Sequence, residues 1–242
     1  MPTDTLETVR RRLTPLWEEH GLLQAPLTIR ARPLRTDEAI GDPEGLDYPL
    51  LKGRERLMEA EFRGFKGQAY TDRFGDFQGS LGEIASMALT NNFRRAVFVA
   101  AANATLRCLG LCGPTVHCRD AEPAACAARF ADALEKRHGA RRVALIGYQP
   151  AFIQAFAPRF ELRVVDLDPD NIGRVRHGVP VAGPDQARAA QDWADVVAVT
   201  GSTLANGSIG DFFGRGPVVF YGTTVAGAAA LMGWERFCAM AC

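Results

Sequence analysis

The chain lacks several features that would assign it to a functional class at once. Its 28 lysine and arginine residues are balanced by 28 aspartate and glutamate residues, so no overall charge favours nucleic acid or an anionic membrane. The longest apolar stretch, near residues 96–104, is too short to span a bilayer. Residues 1–12 are polar and charged, unlike a signal peptide. These absences predict a cytoplasmic protein that binds neither nucleic acid nor membrane.

Familiar cofactor and nucleophile motifs are also missing. The six cysteines include no Cys-x-x-Cys pair, which argues against a zinc knuckle and a thioredoxin-like redox motif. Neither a G-x-G-x-x-G fingerprint nor a P-loop lysine occurs, so the usual phosphate-binding loops are absent. Ser202 does not lie in a G-x-S-x-G elbow, which disfavours a serine hydrolase. No catalytic residue is assigned on these grounds.

The second half of the chain does contain a regular alternation of strands and helices. Strands are predicted at residues 142–146, 162–167, 196–200, 218–221 and 236–240. Such alternation predicts a parallel sheet with helices on both faces, as in Rossmann-like α/β domains. The first half places its strands before its helices, which is typical of an α+β domain. The pattern changes near Asp120, so we predict an α+β domain at residues 1–120 and a Rossmann-like domain at residues 121–242.

Several elements have individual signals. Apolar residues at helical spacing predict an amphipathic helix from Leu6 to about His20. Ser80 and Glu83 have capping-box spacing and predict a helix to about Thr90, followed by a buried helix at residues 93–109. Strands are expected at residues 27–34, 57–62 and 67–71, the last two joined through residues 65–67. A single short helix is expected at residues 202–213.

Four loops that follow the predicted parallel strands concentrate glycines, hydroxyls and carboxylates. They are residues 147–150, 166–169, 200–203 with Asn206 beyond, and 221–224. In open α/β sheets ligands bind outside the carboxyl ends of the strands, where backbone N–H groups also point. We therefore expect a polar ligand site that draws on Gly147, Tyr148, Asp166, Thr200, Gly201, Ser202, Thr203, Asn206 and Thr223, with Tyr148 placed to stack on the ligand. The competing interpretation is that these are ordinary turn and N-cap residues.

Asp166 supports a second hypothesis. It lies 19 residues after Gly147, close to the spacing at which an acid accepts hydrogen bonds from a ribose in dinucleotide-binding folds. The glycine fingerprint that should accompany it is missing. An enzyme that uses a nucleotide or adenosyl-type cofactor therefore remains an alternative, and Asp166 is also a candidate ligand for a cation.

A His-Cys-Arg-Asp segment near the junction of the two halves is a candidate metal site. His117, Cys118 and Asp120 combine imidazole, thiol and carboxylate groups, which suit zinc or another thiophilic metal. Adjacent side chains of an extended segment point to opposite sides, which opposes joint ligation. The alternative is that Asp120 caps the helix predicted from Pro123, and that Cys126 is a small buried residue.

Asn103 interrupts the apolar run of the buried helix. A buried amide has to be hydrogen-bonded, because leaving it unpaired costs roughly 1–3 kcal/mol. Either the Asn103 amide bonds the backbone of the neighbouring strands, or it faces the ligand. Both interpretations stay open at this point.

Three sequence elements resemble one known family. They are Gly67-Gln68-Ala69 with Thr71, Arg95 with Ala102-Asn103-Ala104, and Thr200-Gly201-Ser202-Thr203 with Asn206-Gly207. Together they resemble the family named "putative heavy-metal chelation", over roughly residues 5–240. The resemblance implies an N-terminal domain like the first domain of enolase, without enolase activity, and a Rossmann-like C-terminal domain. It also implies a cleft site formed by Asn103, Gly147, Thr200, Gly201, Ser202, Thr203 and Asn206.

The chain departs from that family at the fourth loop. Residues 221–224 read Tyr-Gly-Thr-Thr, where the family is expected to have Gly-Pro-Ser-Thr. The sequence thus predicts a protein that binds a metal, a metal chelate or a small anionic ligand in the cleft, with a role in heavy-metal chelation. The alternatives are the nucleotide-type enzyme and a homo-oligomeric scaffold without a small ligand.

Overall fold

Two β-sheets and eight α-helices form the part of the chain that the structure describes. The structure is a computed structural model, and it describes residues 5–30, 56–118 and 122–240. The mixed α/β class predicted from the sequence is confirmed. The expected end of the first strand at residues 31–34 and the polar segment at residues 36–49 lie outside the described residues.

The first sheet is antiparallel and has four strands in the order β3-β2-β1-β4. The strands are β1 (Pro26–Arg30), β2 (Arg56–Phe62), β3 (Phe65–Thr71) and β4 (Phe77–Ser80). A two-residue turn joins β2 to β3, because Arg63 and Gly64 adopt positive φ angles of 50° and 82°. The predicted connection through residues 65–67 was therefore wrong, since these residues pair within the sheet. The short strand β4 was not predicted.

Three helices accompany this sheet: α1 (Thr5–Glu19), α2 (Leu81–Ser86) and α3 (Asn92–Cys108). Helix α1 buries Leu6, Val9, Leu13 and Trp17, the apolar face that its spacing predicts. The Ser80–Glu83 capping box forms as expected. Helix α2 nevertheless ends well before Thr90, because Met87 turns to extended backbone and Asn91 caps the start of α3.

Helix α3 lies at the centre of the molecule, and its residues 96–106 are all buried. Gly67 of β3 packs directly on it. A Cβ atom at Gly67 would lie 2.1 Å from the backbone N of Ala104, so only glycine allows this approach. One hydrophobic cluster includes Trp17, Phe98 and Phe220, and so joins residues packed on both sheets. The division of the chain at residue 120 stays a prediction.

The second sheet has seven strands in the order β11-β10-β9-β5-β6-β8-β7. The strands are β5 (Arg142–Ile146), β6 (Glu161–Val165), β7 (Val175–Arg176), β8 (Val179–Ala182), β9 (Val196–Thr200), β10 (Val218–Tyr221) and β11 (Arg236–Phe237). All neighbours are parallel except β7 and β8. This hairpin was not predicted; it turns at His177 and Gly178, both with positive φ.

Five helices accompany this sheet: α4 (Glu122–His138), α5 (Pro150–Phe156), α6 (Ala187–Trp193), α7 (Ser202–Asn206) and α8 (Ala226–Met232). The prediction of one helix over residues 202–213 was wrong. Gly207 adopts a left-handed φ of 86° and ends α7, and a 3-10 helix follows at Ile209–Phe212. The final strand is also shorter than predicted, since β11 ends at Phe237.

No helix in the described ranges combines the length and the apolar character needed to cross a membrane.

Candidate functional site

A cavity of about 780 Å³ opens at the carboxyl ends of β5, β6, β9 and β10. We call it the cleft; its volume lies in the range of small-molecule sites. All the predicted ligand-binding residues except Asn103 line it: Gly147, Tyr148, Asp166, Thr200, Gly201, Ser202, Thr203, Asn206 and Thr223. The opposite wall includes Tyr70, Thr71 and Asp72 at the end of β3, and His117. The cleft therefore lies where the edge of the second sheet meets the first sheet.

Gly147 allows the first, third and fourth loops to approach each other. Its φ is 99°, and a Cβ atom there would lie 2.8 Å from Thr200 Cγ2 and 2.9 Å from the Tyr221 hydroxyl. The Tyr221 hydroxyl donates to the carbonyl of Ile146 at 2.9 Å. Any other residue at position 147 would strain the backbone and push these loops apart.

Asp166 ties the first loop to the second. Its Oδ2 atom accepts a hydrogen bond from the backbone N–H of Tyr148 at 2.6 Å. Its Oδ1 atom accepts from the backbone N–H of Asp168 at 2.9 Å and from the side chain of Asn171 at 3.1 Å. A carboxylate offers about four lone-pair sites, so protein donors occupy most of them. Asp166 thus has little remaining capacity for a ribose.

Tyr148 is less available to a ligand than the sequence suggested. The residue lines the cleft but is only 7% exposed, and it packs in the hydrophobic cluster beneath the sheet edge. Its hydroxyl accepts a hydrogen bond from Arg176 Nε at 2.8 Å. The ring is therefore part of the core, and little of it is left to stack on a ligand.

The third loop brings two hydroxyls together at the cleft. Thr200 Oγ1 and Ser202 Oγ lie 3.2 Å apart, within hydrogen-bond distance of each other. The hydroxyl of Thr203 donates instead to the carbonyl of Thr200 at 2.7 Å, so it closes the turn. Arg95 fixes the end of α7 from the opposite side, because its Nε donates to the carbonyl of Ala205 at 2.9 Å.

Asn103 does not line the cleft but lies behind the fourth loop. It is fully buried, and its Nδ2 donates to the carbonyls of Gln68, Thr223 and Thr224 at 2.8, 3.1 and 3.1 Å. Its Oδ1 accepts from the backbone N–H of Gly227 at 2.7 Å. Of the two interpretations of this residue, the structure supports the backbone one. The expectation that Asn103 contacts a ligand is corrected, because both ends of its amide already bond the protein.

The His-Cys-Arg-Asp segment does not form a metal site in the described residues. His117 lines the cleft, whereas Cys118 is buried away from it and Asp120 lies outside the described residues. His117 Nδ1 lies 2.6 Å from the Cys118 carbonyl; this oxygen can only accept, so Nδ1 carries the proton. Nowhere in the described ranges do three His, Cys, Asp or Glu side chains converge as metal ligands.

Burial also keeps three cysteine thiols protonated in the metal-free protein. It raises the pKa of Cys118 and of Cys126 above the ordinary range of a thiol, because a thiolate is poorly solvated inside the protein. Burial likewise raises the pKa of Cys112 to about 11. A thiol has to lose its proton before it binds zinc or a similar metal, so burial opposes metal binding by these side chains.

Three buried side-chain oxygens have no hydrogen-bond partner in the described residues, and all three belong to the lining of the cleft. They are Gln149 Oε1, Gln191 Oε1 and Thr223 Oγ1. Unpaired buried polar atoms are rare in folded proteins and call for an explanation. Only Thr223 was predicted from the sequence. Gln191 lies on α6, and no local pattern shows that this helix faces the cleft.

Comparison with known protein families finds a match in the second half of the chain. Residues 130–232, from within α4 to the end of α8, match the model of the DUF364 family, described as "putative heavy-metal chelation". The resemblance seen in the sequence is confirmed over these residues. No curated protein matches the chain.

The solved structures that are similar to the chain include two DUF364 proteins. The first is a DUF364 protein of unknown function from Pyrococcus horikoshii, 15% identical, with a TM-score of 0.51; the alignment covers 91% of this chain and 79% of that one. The second is a DUF364 protein of unknown function from Desulfitobacterium hafniense DCB-2, 12% identical, with a TM-score of 0.49; the alignment covers 73% of this chain and 72% of that one. The likeness to the first structure concerns the fold alone.

The position of Asn103 leads to a stability prediction. Asn103→Leu keeps the approximate volume but removes the acceptor of the Gly227 N–H and a donor to three carbonyls. Of these carbonyls, that of Thr223 still accepts from the N–H of Ala226. We expect the free energy of unfolding to fall by roughly 3 kcal/mol, measured by urea denaturation. Gln154→Leu, which removes an exposed amide on α5, should change it by less than about 0.5 kcal/mol. Equal stability of the two variants would contradict the role given to Asn103.

The bonds of Asp166 lead to a local prediction. In Asp166→Asn one acceptor oxygen becomes a donor, so we expect the Tyr148 or Asp168 amide to exchange its hydrogen about tenfold faster, or more, in NMR measurements. Asp195→Asn is the matched control, because Asp195 Oδ2 accepts from the N–H groups of Arg141 and Arg142 far from the cleft. Its effect should be confined to those two amides. Unchanged protection at both Tyr148 and Asp168 would show that Asp166 does not hold the loops.

Proposed function

With the match of residues 130–232 to DUF364 as the premise, we propose that the protein binds a small organic molecule, or a metal already held by one, in the cleft. The unpaired oxygens of Gln149, Gln191 and Thr223 are the observation that supports this most strongly. They are buried, and no group of the described residues bonds them. A ligand that reaches them after a side-chain rotation would offset the cost of their burial.

The chemistry of the lining favours a complexed metal over a bare ion. Soft metals bind thiolate and imidazole, but the described lining holds one histidine, His117, and no cysteine. Hard cations need about six oxygens in one shell, and Asp166 already accepts three protein hydrogen bonds. A metal that arrives with its own ligands needs hydrogen-bonding groups instead. The Thr200 and Ser202 hydroxyls are such groups.

The lining also weakens two earlier hypotheses. An anionic ligand is disfavoured, because aspartates outnumber arginines around the cleft. The nucleotide-type enzyme loses its main support, because the carboxylate that would accept the ribose hydroxyls is engaged by Tyr148, Asp168 and Asn171. Binding of a polar small molecule is the function that agrees best with the geometry.

The proposal is tested on gently purified protein by native mass spectrometry and elemental analysis. We expect the wild-type chain to carry a bound organic mass, with or without a metal. Thr200→Val with Ser202→Ala removes both hydroxyls with little change of volume. The amount of ligand bound to this double variant should be about tenfold lower than in the wild type, or lower still, because one or two hydrogen bonds to the ligand are lost.

Thr28→Val with Ser86→Ala is the matched control, since both residues are exposed and lie outside the cleft. It should carry as much bound mass as the wild-type chain. Equal retention by all three proteins would place the ligand elsewhere. Wild-type protein that carries no ligand and binds added Zn²⁺ alone tightly and stoichiometrically would contradict the proposal.

A further inference from the structure

The lining of the cleft is much more acidic than the protein as a whole. The chain has equal numbers of acidic and basic residues, whereas five aspartates and two arginines line the cleft. The aspartates are Asp72, Asp166, Asp168, Asp185 and Asp211. One of the two arginines is already paired, since Arg215 Nη1 lies 2.6 Å from Oδ1 of Asp192, which is outside the lining. The excess negative charge is therefore larger than the residue count suggests.

None of these five carboxylates has a cationic partner in the described residues. The ion pairs of the described chain all involve other acids. Asp166 and Asp168 are instead held by backbone N–H groups, for example Asp168 Oδ1 by the N–H of Asp170 at 3.0 Å. Such bonds orient a carboxylate without neutralising it. Charges of one sign that line a cleft focus the field and attract ligands of the opposite charge.

An independent observation points to the same kind of ligand. Gln191 and Thr223 are 3% and 1% exposed and line the cleft, and each carries an oxygen that no described residue bonds. An amide oxygen can only accept hydrogen bonds, and a hydroxyl can accept them as well. Apart from the Thr223 hydroxyl, which can also donate, the groups that the cleft leaves unsatisfied are negative charges and hydrogen-bond acceptors. A ligand that complements both carries positive charge and N–H or O–H donors.

We propose that the cleft selects cations whose charge is carried by N–H groups. Such a ligand is either an amine complex of a metal or an organic ammonium compound; the two share the recognised chemistry. This inference rests on the proposed function, because it names the ligand class of the same cleft. In both cases the protein contacts N–H groups and not a metal ion directly.

The test is isothermal titration calorimetry of the full chain with three probes at low ionic strength. Hexaamminecobalt(III) presents N–H donors on a cation that does not exchange its ligands, and hexacyanocobaltate(III) is an anion of similar shape without donors. Spermidine is the organic cation. We expect hexaamminecobalt(III), spermidine or both to bind, and to bind at least about tenfold more tightly than the anion. Which of the two binds distinguishes the metal source from the organic one.

The charge dependence is tested with Asp185→Asn combined with Asp211→Asn. Both residues are exposed at the cleft, and the substitutions remove two charges with little change of shape. We expect the cation to bind roughly tenfold more weakly, with a smaller effect at high salt. Asp132→Asn combined with Glu18→Gln is the control, because it removes the same charge from exposed positions outside the cleft. It should weaken binding by less than about twofold.

Three outcomes would overturn the inference: failure of both cations to bind, binding of the anion as tightly as the cations, and equal weakening by the two double variants. None of them affects the comparison of retained ligand between the wild type and Thr200→Val with Ser202→Ala. If that comparison succeeds while the titrations fail, the cleft binds a small molecule of another charge. If that comparison fails, the proposed function itself is wrong.

Discussion

One buried amide holds together the walls on which the cleft depends. Asn103, in the middle of α3, bonds β3 through Gln68, the fourth loop through Thr223 and Thr224, and the start of α8 through Gly227. Gly227 permits this contact, since a Cβ atom there would lie 2.9 Å from Asn103 Oδ1. A buried amide stabilises a fold only when its hydrogen-bond donors and acceptor have partners, so breaking any of these contacts lowers the stability. Asn103 thereby holds the fourth loop, at the edge of the second sheet, against the first sheet.

The cleft formed in this way is rich in oxygen and poor in soft metal ligands. Its hydroxyl pair, its carboxylates and its unpaired amide oxygens all suit a ligand that donates hydrogen bonds. The cysteines whose pKa burial raises do not line it. The description of the DUF364 family and the chemistry of this cleft agree if a metal enters with its own ligands. They disagree if the protein has to chelate the bare ion itself.

The part of the cleft formed by βα loops could be predicted, because the carboxyl ends of parallel strands meet at one edge. On the opposite wall, the sequence already singled out His117, which lines the cleft, although as a candidate metal ligand. The approach of Tyr70 to His117 depends on the packing of β3 on α3, which leaves no local pattern. Local signals were also missed, among them His177-Gly178, which turns the β7–β8 hairpin, and Gly207, which ends α7. The enolase-like and Rossmann-like names, the cytoplasmic location and self-association stay predictions.

A crystal structure of the gently purified protein with its co-purified ligand would show whether the ligand occupies the cleft. We expect electron density inside the cleft, within hydrogen-bond distance of the Thr200 or Ser202 hydroxyl. Any metal there should be coordinated by the ligand and not by protein side chains, which anomalous scattering would reveal. An empty cleft, with a metal bound instead by cysteine or histidine side chains, would show that the protein chelates the metal itself and does not bind a ligand in the cleft.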